Sequence, residues 1–453
     1  MAVPTTSISS ISYWIGYVSV LYKVYLSKAC REILAGFFLI LEKKQYFCCL
    51  IHILPISLPQ PIIRLFLAIT MKTSFFLILF CFSWHIQGTF ARTTLKYTEI
   101  DSSVYQKLLS PKMADFYIFD INCVSMLDFL HNNPTFDWQL GKKMTWKTSI
   151  IKNNFLLSDT KITSATNQHI QLPFLQLYNG QINTKGYINL SIDSTALYAT
   201  IIDEQQNTWL LQPLQDWLPN QATLSHYILY RVVDTTPIIP LDCGNKEQTT
   251  QIPTTVANNF LAQDQDDNSS DCVETIRLSL ITEYSMLQKH QTPARLTKYL
   301  ITLLQSMNVN YTPLHVQFAL QELYIIDCEN CSYFSSSTNP NTRLDSFRDY
   351  TNNNTILLPN YDVAQLWTND DLDGTVIGLS YINGICTPNK YSLVQDISPK
   401  FQAMRMLMAH ELGHSLGANH DPNSTNYIMR PTISATATEF SPTSVNDIKQ
   451  TIV

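Results

Sequence analysis

The chain has 453 residues, of which 45% are hydrophobic, enough for a large core and for two domains or more. The formal net charge is −6, and the charges are spread without long runs. This balance argues against nucleic acid and against an anionic membrane surface as partners.

The start of the chain is apolar and has two parts. Residues 1–70 are aromatic and aliphatic with scattered lysines. They are either a membrane anchor or hairpin, or an upstream extension of a reading frame that starts at Met71. Residues 71–91 read as a signal peptide, with a basic start, an apolar stretch and small residues before a cleavage site after Ala91. We therefore expect secretion, with membrane attachment only if residues 1–70 are retained.

The cysteines and the glycosylation sequons also fit a secreted protein. Six of the 10 cysteines follow residue 100. Six N-x-S/T sequons, typical of secreted glycoproteins, lie in the same part of the chain: Asn189, Asn268, Asn310, Asn330, Asn353 and Asn423.

Residues 92–245 contain apolar or alternating runs of strand length at 181–192, 196–202, 208–214 and 226–233. These runs predict a β-rich first domain. Residues 246–271 are polar and hold little core material, which predicts a linker.

Residues 272–453 alternate between strand and helix patterns. Strands are predicted at 274–281, 316–326, 363–368, 375–382 and 391–394. Helices are predicted from Thr292-Pro293, at 343–350, and from Ser398-Pro399, where a capping residue precedes proline at the first turn. This alternation predicts an α/β sheet domain.

The last predicted helix carries a metal-binding pattern. His410 and His414 are four residues apart, so both rings leave one helix face. Gly417 can adopt the positive φ that ends the helix and returns His420 as a third ligand. Three ligands leave one position open, which is typical of catalytic zinc. Glu411 would lie beside the metal, where it can take a proton from water.

These residues match the metzincin pattern H-E-x-x-H-x-x-G-x-x-H, with Met429 in the position of the Met-turn. Asp421 after the third histidine resembles the adamalysin (reprolysin, ADAM) branch. The runs 361–368 and 371–381 resemble the stretch of ADAM proteases that leads into the substrate-binding edge strand. Residues 441–448 are similar to the closing helix of that family.

The resemblance implies a metzincin catalytic domain: a mixed, mostly parallel sheet, a long active-site helix and a small C-terminal subdomain. It implies Zn²⁺ held by His410, His414 and His420, and Glu411 as the general base. Glu411 would take a proton from zinc-activated water as this water attacks peptide bonds of extended polypeptide substrates. Met429 would form an apolar floor beneath the imidazoles. Asp421 would either support the ligands or anchor the lower subdomain.

The first domain is similar to an ADAM pro-domain, especially that of the kuzbanian and tumour-necrosis-factor-converting branch. Cys243, followed by glycine, would then be a latency thiol whose sulfur binds the zinc. The alternative is a disulfide with Cys123 or with a cysteine of the catalytic domain. Residues 246–271 contain no arginine, so we do not expect cleavage there by a furin-type protease.

Two departures from the family concern its cysteines and its tail. Thr443 stands where the family has a cysteine, so Cys272, Cys328, Cys331 and Cys386 allow three pairings. The chain stops at Val453 without a disintegrin segment. We expect a secreted zinc metalloendopeptidase made as a zymogen. The alternatives are a membrane-anchored form of the same protease and a non-catalytic secreted binding protein on the same fold.

Overall fold

The computed structural model of the chain describes residues 92–142, 144–153, 155–166, 170–235, 241–245, 273–354, 360–397 and 401–452. The predicted upstream extension 1–70, signal peptide 71–91 and linker 246–271 lie outside these residues.

The described residues form strands and helices throughout. The strands are β1 Thr93–Tyr97, β2 Tyr117–Asp120, β3 Thr135–Leu140, β4 Met144–Lys152, β5 Leu156–Ser164, β6 Gln176–Ile182, β7 Gly186–Ile192, β8 Leu197–Ile202, β9 Thr208–Pro213, β10 His226–Arg231, β11 Asp242–Cys243, β12 Glu274–Thr282, β13 Val316–Ile325, β14 Val363–Thr368, β15 Val376–Ser380 and β16 Tyr391–Gln395. The helices are α1 Ser103–Leu109, α2 Cys123–Asn132, α3 Tyr284–His290, α4 Pro293–Tyr311, α5 Pro340–Asn353, α6 Phe401–Ser415 and α7 Pro442–Ile452.

A nine-stranded sheet is built from residues before the linker, in the order β1-β3-β4-β6-β7-β8-β9-β10-β2. All its pairs are antiparallel except β1–β3. In β3 the inward positions Phe136, Trp138 and Leu140 are buried and alternate with more exposed ones, as expected for a sheet with one buried face. The predicted run 181–192 is a hairpin rather than one strand, because the chain turns between β6 and β7 at Asn183, where φ is 52°.

A seven-stranded sheet has the order β11-β15-β16-β14-β12-β13-β5. Its pairs are parallel except β15–β16. Strand β14 lies at 363–368 as predicted, and all its residues are buried. Continuous burial is typical of parallel strands covered on both faces. The mixed, mostly parallel sheet fits the expected metzincin catalytic domain.

Two strands of this second sheet come from before the linker. Strand β5 pairs with β13 at one edge, and β11 pairs with β15 at the other. The residues before and after the linker therefore share one sheet.

Helix α4 begins as predicted: the Thr292 side chain accepts a hydrogen bond from the Arg295 backbone N–H, and Pro293 occupies the first turn. At its other end, the Tyr311 hydroxyl donates to the Ala409 carbonyl of α6 at 2.7 Å. This contact ties α4 to α6, the helix that carries the predicted zinc ligands.

The first sheet contacts α4 through buried polar groups. Gln305 is 1% exposed, and its side-chain amide donates to the carbonyls of Tyr178 and Leu190 and accepts from the Ser191 hydroxyl. The Asn189 side chain donates to the Gln305 carbonyl at 2.6 Å. Such contacts fix the register of the two layers, because each buried polar group needs its partner.

Two of the predicted glycosylation sites are buried. Asn189 is 3% exposed and Asn310 is 5% exposed, and the Asn310 side chain donates to the Thr438 carbonyl. A glycan on either side chain is incompatible with these contacts. Asn330, Asn353 and Asn423 are exposed, and Asn268 lies outside the described residues.

Candidate active site

The three predicted zinc ligands converge. His410 and His414 lie one turn apart on α6, and their Nε2 atoms are 3.1 Å apart. The Nε2 atom of His420 lies 3.3 Å from that of His410 and 3.1 Å from that of His414. The structure therefore brings all three imidazoles to one point.

The turn after α6 delivers His420. The Gly417 backbone N–H donates to the His414 carbonyl, and the Ala418 N–H donates to the Gly413 carbonyl. This pair of bonds is a Schellman motif, which requires a left-handed residue. Gly417 supplies it with φ of 92°.

The donor geometry fits zinc. Tetrahedral zinc with Zn–N distances of about 2.0–2.1 Å places its nitrogen ligands about 3.3–3.4 Å apart. A thiolate ligand would lie about 3.5–3.6 Å from each nitrogen on the same geometry. The Cys243 Sγ atom is 3.5 Å from the His414 Nε2 atom, and the four donor atoms lie within 4.8 Å of one another.

Backbone carbonyls orient two of the imidazoles. The His410 Nδ1 atom lies 2.7 Å from the Ile428 carbonyl, and the His414 Nδ1 atom lies 2.7 Å from the Ala418 carbonyl. Each Nδ1–H therefore donates, and each Nε2 lone pair faces the convergence point. Burial lowers the pKa of His410 to about 3 and lowers the pKa of His414 well below its usual value. Both rings are thus neutral, the form that binds metal.

Glu411 is fully buried beside the imidazoles. Burial raises the pKa of its carboxyl to about 8. Apart from the neighbouring Cys243 thiol, neither carboxyl oxygen has a polar partner among the described residues. A buried carboxyl with so few polar contacts is costly, so these contacts do not explain Glu411 as a group that stabilises the fold.

Gly378 of β15, the strand that pairs with β11, makes room for Glu411. A Cβ atom on Gly378 would lie 2.2 Å from the Glu411 Oε1 atom. Gly378 lies in the predicted strand 375–382 but is not among the predicted site residues. Its signal was a glycine inside a strand, which often marks a close approach.

Met429 is buried directly beneath α6. A Cβ atom on Gly413 would lie 2.6 Å from the Met429 Sδ atom, and Met429 is fully buried. The Met429 thioether therefore packs against the helix between the two ligands.

Asp421 anchors the closing helix α7. Its carboxylate accepts from the Ser441 hydroxyl at 2.6 Å and from the Ser444 hydroxyl at 3.3 Å. The Ser441 hydroxyl also accepts from the Ser444 backbone N–H, which is an N-cap contact. Of the two roles left open for Asp421, these contacts favour the anchoring one.

Cys243 lies beside the histidine cluster and not in a disulfide. Its thiol is free and buried, as is that of Cys123, which lies 2.9 Å from the Tyr227 hydroxyl. Burial, together with the nearby Glu411 carboxylate, raises the pKa of Cys243 above its usual value. A bound cation would act in the opposite direction and favour the thiolate.

Of the cysteines for which three pairings were open, two form a disulfide among the described residues. Cys328 and Cys331 form a disulfide, Cys386 is an exposed free thiol, and Cys272 lies outside the described residues.

Within the part of the chain that the structure describes, no helix has the length and apolar character to cross a bilayer.

Comparison of the sequence with known proteins identifies the family of this chain. Residues 275–453 match the model of the Reprolysin (M12B) family zinc metalloproteases. The chain is 31% identical over 148 residues to the snake venom metalloproteinase trimerelysin-2 of Protobothrops flavoviridis, covering 73% of that protein and 32% of this chain. The chain belongs to the reprolysin family.

Two further relatives are matched over less than half of their own length. A zinc metalloproteinase-disintegrin-like protein of Cerberus rynchops is 26% identical over 277 residues, 60% of this chain and 43% of the relative. The hemorrhagic metalloproteinase-disintegrin-like kaouthiagin of Naja kaouthia is 34% identical over 155 residues, 33% of this chain and 38% of the relative. The chain therefore spans about two fifths of the length of these two relatives. Membership in a zinc metalloprotease family agrees with the donor geometry described above.

Proposed function

We propose that this reprolysin is a secreted zinc metalloendopeptidase that is made as a zymogen. The observation that carries this proposal is the convergence of His410, His414 and His420 beside the buried Glu411 carboxyl. When bound, Zn²⁺ would supply Lewis acidity that polarises a peptide carbonyl and lowers the pKa of water.

Glu411 is the proposed general base. Its carboxyl is buried next to His410 in the sequence of α6, and among the described residues the Cys243 thiol is its one polar contact. It would take a proton from the attacking water and pass it to the leaving amine. Groups in this role typically contribute about two to four orders of magnitude in rate.

An extended polypeptide is the proposed substrate. Among the strands that follow the linker, β15 lies at the edge of the sheet and next to Glu411. Strand β11, Asp242–Cys243, pairs with it. An edge that accepts one backbone segment can accept another by β-strand addition. The relative that is named as a snake venom metalloproteinase supports an extracellular location for this chain, and its targets are not assigned to this chain.

Latency is the proposed role of Cys243. Its sulfur lies within 4.8 Å of the three imidazole donor atoms, so it could bind the zinc at the position that a substrate would need. We place the signal peptide at residues 71–91 and the pro-region at residues 92–245. The similarity of the β7–β9 segment to kuzbanian-type pro-domains supports a position in that branch.

The zymogen proposal is tested with Cys243→Ser in the full chain. Serine binds zinc far more weakly than a thiolate. We therefore expect the uncleaved variant to hydrolyse a quenched fluorescent peptide at least tenfold faster than the uncleaved wild type. Cys123→Ser is the matched control, because this thiol is also buried but lies in the first sheet. Equal activity of wild type and Cys243→Ser would remove Cys243 from the mechanism.

The membrane-anchored and non-catalytic alternatives predict different results. N-terminal sequencing of secreted material should find a start near Arg92. Recovery only from membranes, with residues 1–70 attached, would favour the anchored form. Zinc binding without any peptide hydrolysis by Cys243→Ser would favour the binding protein.

A further inference from the structure

Residues 241–244 lie between two walls of the candidate active site. One wall is the stretch from Thr375 through β15, and the other is the segment 431–433 that follows Met429. Four backbone hydrogen bonds hold the segment: Asp242 N–H to Thr375 O, Gly244 N–H to Gly378 O, Cys243 N–H to Pro431 O, and Ile433 N–H to Leu241 O, each at 2.8–2.9 Å. Any polypeptide could make these bonds, so they carry no sequence preference.

The Asp242 side chain adds contacts that do depend on sequence. Its Oδ2 atom accepts from the Thr375 hydroxyl at 2.9 Å, and its Oδ1 atom accepts from the Thr432 hydroxyl at 2.9 Å. One hydroxyl comes from each wall. The neighbouring residue is Cys243, whose sulfur reaches the histidine cluster. The carboxylate is therefore held one residue away from the metal-binding point.

We infer that Thr375 and Thr432 form a carboxylate-binding subsite of the cleft. Asp242 fills this subsite in the intact chain, and an acidic side chain next to the scissile bond fills it in a substrate. This inference rests on the proposed function, since it names a substrate preference of the same site.

The chemistry favours a carboxylate over its amide. Both oxygens of aspartate can accept, and hydrogen bonds to a charged acceptor are roughly twice as strong as neutral ones. Asparagine offers only one acceptor oxygen, so one threonine hydroxyl would have to accept instead of donate. We expect discrimination of about tenfold, as for the loss of one hydrogen bond to a charged group.

The subsite is tested by binding in the full chain. The protein carries Asp242→Asn and Cys243→Ser, which weaken the hold of its own segment, and Glu411→Gln, which prevents turnover. The probes are blocked fluorescent peptides Leu-Asp-Ser-Gly and Leu-Asn-Ser-Gly, measured by anisotropy. Competition from the chain's own segment affects both peptides equally, so it does not change their ratio. We expect the aspartyl peptide to bind about tenfold more tightly.

Threonine variants assign the effect to the two hydroxyls. Thr375→Val and Thr432→Val should each bring the ratio of the two dissociation constants close to one. Thr342→Val, at an exposed position on α5, is the matched control and should leave that ratio at about ten. Equal affinity for the two peptides, failure of both to bind, or a ratio that survives both threonine substitutions would overturn the inference.

Hydrolysis separates this inference from the proposed function. With Glu411 restored, the same chain is given peptide pairs with aspartate or asparagine at each position near the scissile bond. We expect one position at which aspartate raises kcat/KM about tenfold. Equal kcat/KM at every position would contradict the substrate preference. If no peptide is hydrolysed by zinc-loaded protein, the proposed function fails, while the binding ratio still decides the subsite.

Discussion

At the scale of single residues, the candidate site depends on close contacts that leave no room for a methyl group. The Glu411 carboxyl lies against the backbone of Gly378, and the Met429 thioether lies against Gly413. Both glycines let a functional side chain approach the backbone of a neighbouring element. Replacing either one should move a side chain of the site rather than disturb the fold as a whole.

Gly378→Ala should displace the Glu411 carboxyl, because the new Cβ would lie 2.2 Å from Oε1. A displacement of about 1 Å can cost on the order of 100-fold in rate. We expect kcat/KM in the Cys243→Ser chain to fall by about that factor while the zinc content is unchanged. The measurement is peptide hydrolysis beside metal analysis of the same sample. Full activity of Gly378→Ala would show that the Glu411 position is not critical.

At the scale of secondary-structure elements, the ligand set is a property of one helix and the turn that ends it. Helix α6 presents His410 and His414, and the Schellman motif at Gly417 returns the chain to His420. These relations are local in sequence, which is why spacing alone could predict the three ligands. The predicted start of α4 was likewise local, since it depended on Thr292 and Pro293.

Gly417→Ala should both destabilise the chain and weaken zinc binding. A left-handed conformation costs a non-glycine residue about 1–2 kcal/mol, and the new Cβ would lie 2.4 Å from the Thr451 Oγ1 atom. Gly374→Ala is the matched control, because Gly374 has φ of 76° and a Cβ there would meet nothing within 4 Å. Zinc titration should show weaker binding only for Gly417→Ala. Equal zinc affinity in both variants would contradict a special role for this turn.

Other parts of the site could not be predicted because they join distant segments. Asp242 meets Thr375 and Thr432 across 133 and 190 residues.

Parts of the fold outside the site were not predicted either. Strand β5, which precedes the linker, pairs with β13, although the sequence suggested two separate domains. The first-domain helices α1 and α2 and the hairpin at Asn183 were also missed, since short apolar runs do not separate helix from strand or show where a run turns.

At the scale of the whole molecule, residues before the linker contact the residues after it at three places. Strands β5 and β11 form the two edges of the seven-stranded sheet, and the nine-stranded sheet contacts Gln305 of α4. The Cys243 thiol is thus one of several contacts that hold the residues before the linker in place. Under the proposed zymogen, removal of these residues would require more than the release of one thiol.

Gln305→Ala should weaken this attachment. The substitution leaves the buried Tyr178 carbonyl and the Ser191 hydroxyl without their partner. One buried polar group left unpaired costs about 1–3 kcal/mol. We expect urea denaturation to show a lower free energy of unfolding by about that amount. Gln106→Ala, at an exposed position on α1, is the control and should change it by less than about 0.5 kcal/mol. Equal effects of the two substitutions would mean that Gln305 does not couple the layers.

The activity that we propose is zinc-dependent peptidolysis with Glu411 as the base and not as a ligand. The most direct measurement is zinc content together with peptide hydrolysis for the Cys243→Ser chain with and without Glu411→Gln. We predict about one zinc per chain in both proteins, hydrolysis that a chelator abolishes in the first, and a loss of at least 100-fold in the second. Loss of zinc from the Glu411→Gln protein, or hydrolysis that persists in it, would contradict the account.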